Sequence, residues 1–123
     1  MAKVRILAGK ARFEIALDDT PTAQALLEAL PFESVAQTWG EEVYFEAPVN
    51  AILEPEARQT VEPGTVCFWV EGSALALPWG RTPISTDARP KLVSPCNVLG
   101  RILGDAQALA QVNSGDRVKV EAA

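Results

Sequence analysis

Lys3-Val4-Arg5-Ile6-Leu7-Ala8-Gly9-Lys10-Ala11-Arg12-Phe13-Glu14-Ile15-Ala16-Leu17 is the stretch whose reading decides the fold. Val4, Ile6 and Ala8 alternate with Lys3, Arg5 and Leu7. Phe13, Ile15 and Leu17 alternate in the same way with Arg12, Glu14 and Ala16. Successive strand residues point to opposite faces, so each run has one face to bury. Gly9-Lys10 is a tight connection between them, and the whole is predicted to be a β-hairpin.

A helix is expected next. Thr20 caps it, and Pro21 fits the first helical position, where a missing N–H costs nothing. Ala23, Leu26, Leu27 and Leu30 share one face at helical spacing, and Pro31 ends the element. Phe32 to Trp39 and Val43 to Glu46 are predicted strands around a turn at Gly40-Glu41-Glu42. Pro48, Pro55, Pro63, Pro78, Pro83, Pro90 and Pro95 then punctuate the chain, leaving room for short strands rather than ordinary helices.

Val66 to Val70 is a continuous apolar run, expected to be a strand buried on both faces. Ala74 to Leu77 is a shorter and weaker strand signal. Arg81 to Pro95 reads as a long loop holding a strand near Lys91-Leu92-Val93, and Asn97 to Leu103 as a further strand. Asp105 caps a short helix through Gln111, with Leu109 and Val112 facing inward. Asn113-Ser114-Gly115-Asp116 is a turn, and Val118 and Val120 alternate in a final strand. Many short strands with two short helices define a mostly β single domain over residues 1–123, a barrel or sandwich capped by helices.

Composition narrows the chemistry. The 123 residues include no histidine, so imidazole acid–base catalysis, Ser-His-Asp triads and Cys-His dyads are excluded. Cys67 and Cys96 are too few and too scattered for a zinc site and are expected to be buried free thiols; no metal and no cofactor is implied. The net charge of −5 argues against nucleic acid. No apolar run approaches the roughly 20 residues that cross a bilayer. The N-terminal residues enter the alternating pattern directly, without a signal-peptide core, so no membrane partner and a cytoplasmic location are expected. Charge is unevenly placed: Phe13 to Ala57 carries ten acids and no Lys or Arg. Such a stretch forms either a solvated face or a surface that meets a cationic ligand or partner.

The order of elements resembles that of the cyclophilins. Gly9 to Ile15 is similar to their early hairpin, Pro21-Thr22-Ala23 to the start of their first helix, and Val98-Leu99-Gly100-Arg101-Ile102 to the strand entering their second helix. A closer resemblance is to small prokaryotic proteins grouped as a cyclophilin-like domain family, most of them uncharacterised. It is carried by Thr38-Trp39-Gly40-Glu41-Glu42-Val43-Tyr44-Phe45, Pro48-Val49, Gly72-Ser73-Ala74-Leu75, Gly80-Arg81-Thr82-Pro83 and Asn97-Val98-Leu99-Gly100. The resemblance implies a closed eight-stranded β-barrel with two short capping helices, and no settled activity.

The departures from true cyclophilins concern prolyl isomerisation. In those enzymes it relies on an arginine just beyond the first helix, where this chain has Phe32-Glu33-Ser34. Their Gln-Phe-Phe is replaced by Ala74-Leu75-Ala76, and the position of their further tryptophan corresponds, by an ungapped count, to Lys91-Leu92. Isomerisation must overcome a barrier of about 18–20 kcal/mol, and a donor that weakens the amide's double-bond character is missing here.

The leading expectation is therefore a binding module for a small molecule or short peptide. Trp39, Tyr44 and Trp79 would wall its pocket, and Arg81 with Glu41 or Glu42 would anchor the ligand. Glu41 and Glu42 are adjacent, so on a strand one faces a pocket while the other faces water. Trp69 reads as core, and Asn97 as a residue that fixes a turn through neighbouring backbone. Two other readings stand beside this one. The first is an enzyme with weak prolyl isomerase or carboxylate-based activity. The second is an assembly protein, a homodimer formed through an edge strand.

Overall fold

The alternation at the start of the chain becomes β1 (Lys3–Ala8) and β2 (Ala11–Leu17), paired antiparallel with Val4 opposite Ile15 and Ile6 opposite Phe13. Val4, Ile6 and Ile15 are completely buried in the main core. The computed structural model describes residues 2–123. Helix α1 (Pro21–Ala29) starts as its sequence predicts: the Thr20 side chain accepts a hydrogen bond from the Ala23 N–H at 3.1 Å, with Pro21 in the first turn. It ends where Leu30, preceding Pro31, turns extended, a conformation that proline favours in its predecessor.

The remaining strands are β3 (Phe32–Val35), β4 (Gln37–Thr38), β5 (Glu42–Glu46), β6 (Arg58–Thr60), β7 (Thr65–Trp69), β8 (Ala74–Pro78), β9 (Lys91–Ile102) and β10 (Arg117–Ala122). A 3₁₀ helix, Ala106–Gln111, lies between the last two, capped by Asp105, whose side chain accepts from the Gln107 N–H. Leu109 and Val112 point inward as expected. The fold is mostly β with two helices.

The hydrogen-bonded order is β3-β10-β1-β2-β9-β7-β8-β5-β4, with β6 paired to β9 off this path. Ten strands stand where eight were expected, and among the described residues no pairing joins the two ends of the path, so the expectation of a closed ring is met only in part. The end strands β3 and β4 are separated along the chain by the single, fully buried residue Ala36.

Two apolar layers result. Val43 and Phe45 of β5, Val66 and Phe68 of β7, and Leu75 and Leu77 of β8 enter the main core with the hairpin, α1 and the 3₁₀ helix. The intervening residues of the same strands face the opposite way. There Cys67, Ala76, Val61, Leu92 and Cys96 form a second, smaller core, against which Tyr44, Trp69 and Val98 pack. A strand buried on both faces is what the continuous run at 66–70 predicts, and β7 is that strand.

Asn97 does more than fix a local turn. It is fully buried; its Oδ1 accepts from the Glu54 N–H at 2.7 Å, and its Nδ2 donates to Thr22 Oγ1 at 2.9 Å and to the Ile52 carbonyl at 2.8 Å. Glu54 in turn accepts from the N–H and the hydroxyl of Thr22. One side chain on β9 thus ties the 50–54 loop to the start of α1.

Candidate functional site

The pocket forms on the face of β5, β8 and β7 that carries the smaller core. Across these strands Tyr44 stands opposite Ala76, and Ala76 opposite Cys67. The Ala76 methyl leaves space between its larger neighbours, and a cavity of about 200 Å³ opens above it. Trp39, Glu42, Tyr44 and Trp69 line it together with Leu92, Val93 and Cys96 of β9.

Glu42 is the first residue of β5 rather than part of the turn, and it is 6% exposed. Its Oε1 has no hydrogen-bond partner, and neither does the buried Nε1 of Trp69. A carboxyl removed from water without a partner pays the full cost of being charged. Burial accordingly pushes its pKa up to about 7. The two cysteines feel the same surroundings. Burial first, and the Glu42 charge second, push Cys96 up to about 12, while burial and its cysteine neighbour push Cys67 well above the ordinary thiol range. Neither thiol is a thiolate nucleophile at neutral pH. The Tyr44 hydroxyl donates to Gln37 Oε1 at 3.0 Å.

The structure brings together Trp39, Glu42 and Tyr44 of the expected site residues. It does not bring Glu41, Trp79 and Arg81 into the cavity lining. Glu41 lies just before β5 and is exposed. Its Oε1 accepts from the Arg81 N–H at 3.0 Å, and its backbone carbonyl accepts from the N–H groups of Trp79 and Gly80. The Arg81 guanidinium donates to the Ser85 carbonyl at 3.1 Å, and Trp79 packs on the main core. These three residues pin the 79–81 segment against the turn that follows Trp39.

Sequence reading missed Trp69 as a wall, along with Leu92, Val93 and Cys96. Trp69 alternates with Cys67, which places both on the face of the smaller core. Gly72 lets it lie there: a Cβ at Gly72 would collide with Cε3 and Cζ3 of the indole. A larger, shallower groove of about 580 Å³ runs between the start of α1 and the 50–55 loop. The carboxylate in it, Glu54, is already engaged by Thr22. The smaller pocket is the one whose carboxyl, that of Glu42, has an oxygen without a hydrogen-bond partner.

With this geometry in place, comparison with known proteins identifies the class. The chain belongs to the Cyclophilin-like family, whose model matches residues 2–121. It is similar to the hypothetical protein AF2241 from Archaeoglobus fulgidus, known from a solution structure. The TM-score is 0.82 at 38% sequence identity, covering 99% of this chain and 95% of that one. No curated protein matches. Among the described residues no helix is long and apolar enough to cross a membrane, and no group of three or more His, Cys, Asp or Glu side chains converges as a metal site would.

Proposed function

We propose that this protein is a binding module that holds a small organic ligand in the pocket of Trp39, Glu42, Tyr44 and Trp69. The observation that carries the reading is the Glu42 carboxyl, buried among aromatic walls with one oxygen unpartnered. A binding site is mostly apolar with a few convergent polar groups, and such a group left empty-handed in the free protein gains most when a ligand satisfies it. At about 200 Å³ the cavity is below the usual range for drug-sized ligands, so it suits a small molecule or one side chain of a peptide rather than a peptide backbone. Glu41, Trp79 and Arg81 then serve the site indirectly, by bracing the turn next to Trp39.

Two features of the wider protein fit this reading. If β3 and β4 are taken as one strand bent at Ala36, the path returns to its start after eight strands, which supports the closed barrel and a rigid frame for the pocket. Two buried free thiols suit a reducing cytoplasm.

The test is proton–nitrogen NMR of the three tryptophan indoles during titration with a pooled set of small neutral and charged metabolites. Shifts at Trp39 and Trp69, with Trp79 unmoved, are expected. Shifts confined to Trp79 would put the site elsewhere. A second reading, acid–base catalysis on a bound metabolite, is favoured by the same carboxyl, because a group titrating near 7 exchanges protons readily at neutral pH. Turnover of a bound metabolite that vanishes in Glu42→Gln would establish it.

A further inference from the structure

The geometry points to a small alkylammonium group as the ligand of this pocket, held against the faces of Trp39, Tyr44 and Trp69 with its charge met by the Glu42 carboxylate. The inference rests on the pocket being a binding site and adds what it binds. Aromatic rings carry a negative face and attract a cation placed within about 6 Å of the ring centre, most strongly where water is excluded. Three such rings line a cavity of about 200 Å³, a size suited to a single substituted ammonium.

The surrounding charge favours the same ligand. Among the described residues no Lys or Arg lines the cavity, so Glu42 has no internal cation to answer it. The segment that supplies Trp39, Glu42 and Tyr44 lies within the stretch of ten acids and no bases, and the whole chain carries −5, so the long-range field draws cations to the protein. A neutral apolar ligand would leave the Glu42 carboxyl unanswered.

Glu42 must be ionised to hold the cation, so binding releases a proton from the fraction of molecules in which it is protonated. The titratable groups around it are Tyr44 on its own strand, Cys67 on β7 and Cys96 on β9, and the thiols stay neutral up to pH 8. Affinity is therefore expected to rise between pH 6 and pH 8 and then level off.

The experiment is calorimetric and NMR titration of the intact chain at pH 8. The probes are choline, tetramethylammonium and the uncharged carbon isostere of choline, 3,3-dimethylbutanol, and each is repeated with Glu42→Gln. Choline is expected to bind at least tenfold more tightly than its isostere, and Glu42→Gln to lose at least tenfold for choline but not for the isostere. A parallel titration with a peptide carrying trimethyl-lysine, against the unmethylated peptide, distinguishes a protein side chain from a free metabolite as the source of the ammonium. Equal binding of choline and its isostere by the wild-type protein would overturn the cation assignment while leaving the pocket as an apolar binding site. If no cation binds but pooled neutral metabolites still shift the Trp39 and Trp69 indoles, only this inference falls. If neither shifts them, the binding reading falls with it.

Discussion

Replacing Glu42 with Gln should make the protein more stable at high pH and leave it almost unchanged at low pH. The sign follows from the direction of the shift. Burial raises the Glu42 pKa from 4.5 to about 7, so between these values the unfolded chain has lost a proton that the folded protein keeps. Folding stability then falls as pH rises: the penalty is absent below about 4.5 and complete above about 7. A shift of about 2.5 units at 1.36 kcal/mol per unit is worth roughly 3 kcal/mol. For a domain of this size that corresponds to roughly 10 °C in melting temperature. Gln keeps the size and cannot ionise, so it removes the penalty. The assay is urea unfolding of both proteins from pH 4 to pH 8, read as the difference between them so that the other carboxylates cancel. The Gln variant should gain roughly 3 kcal/mol across the range, and carbon NMR of the Glu42 carboxyl should titrate near 7. A difference that stays flat, or that favours wild type as pH rises, would mean that the carboxyl is solvated or partnered and that the burial reasoning is wrong.

Gly72→Ala should drive the Trp69 indole off Gly72 and out of its place in the pocket wall. A cost of about 1–3 kcal/mol is expected, together with a moved Trp69 indole signal and an unmoved Trp79 signal. Asn97→Ala removes three hydrogen bonds of a buried side chain at once and should cost about 2–4 kcal/mol, with the 50–54 loop becoming sensitive to protease; an unchanged cleavage pattern would deny its tethering role. At pH 8 a thiol reagent should modify Cys67 and Cys96 slowly in the folded protein and rapidly in urea, since burial holds both as neutral thiols. Magnetisation-transfer NMR on an Xaa-Pro peptide should show no enhanced cis–trans exchange, because Phe32-Glu33-Ser34 brings no arginine to the position where cyclophilins have theirs.

Local rules carried much of the fold. Alternation at 3–17, the Thr20-Pro21 cap and the Asp105 cap each depend on residues within a few positions, and each element forms where those residues place it. Rules failed where the deciding partner is distant. Pro95 reads as a break, yet β9 runs through it. Its partner β6 shifts register between Arg58 and Thr60, so the ladder does not need the N–H that proline lacks. Arg58-Gln59-Thr60 is too short and polar to signal a strand by itself. Ala74 to Pro78 looks weak because it is short and bounded by proline, and it is buried throughout because Leu75 and Leu77 enter the main core while Ala76 enters the smaller one on the other face. The site shows the same division. Adjacency says that Glu41 and Glu42 can point apart, but which of them is buried depends on the distant strands packed around β5. Nothing local tells that Trp69 shares the face of the smaller core with Glu42, or that Leu92, Val93 and Cys96 close over it. The 79–81 segment is pinned to Glu41 by backbone hydrogen bonds that no side-chain pattern records.

The placement of β10 has a consequence for how the chain matures. Arg117–Ala122 is made after the other nine strands described, yet it lies between β1 and β3, with Val120 opposite Ile6 on one side and Phe32 on the other. Until it arrives, two strands from the first third of the chain wait with open edges, each a template for pairing with the wrong molecule. Opposite charges discriminate at those edges: Lys119 stands across from Glu33, and Glu121 across from Arg5. β10 thus acts as a keystone between two strands made long before it. A chain cut short before residue 117 should aggregate, and a separate peptide spanning 117–122 should rescue it by complementation.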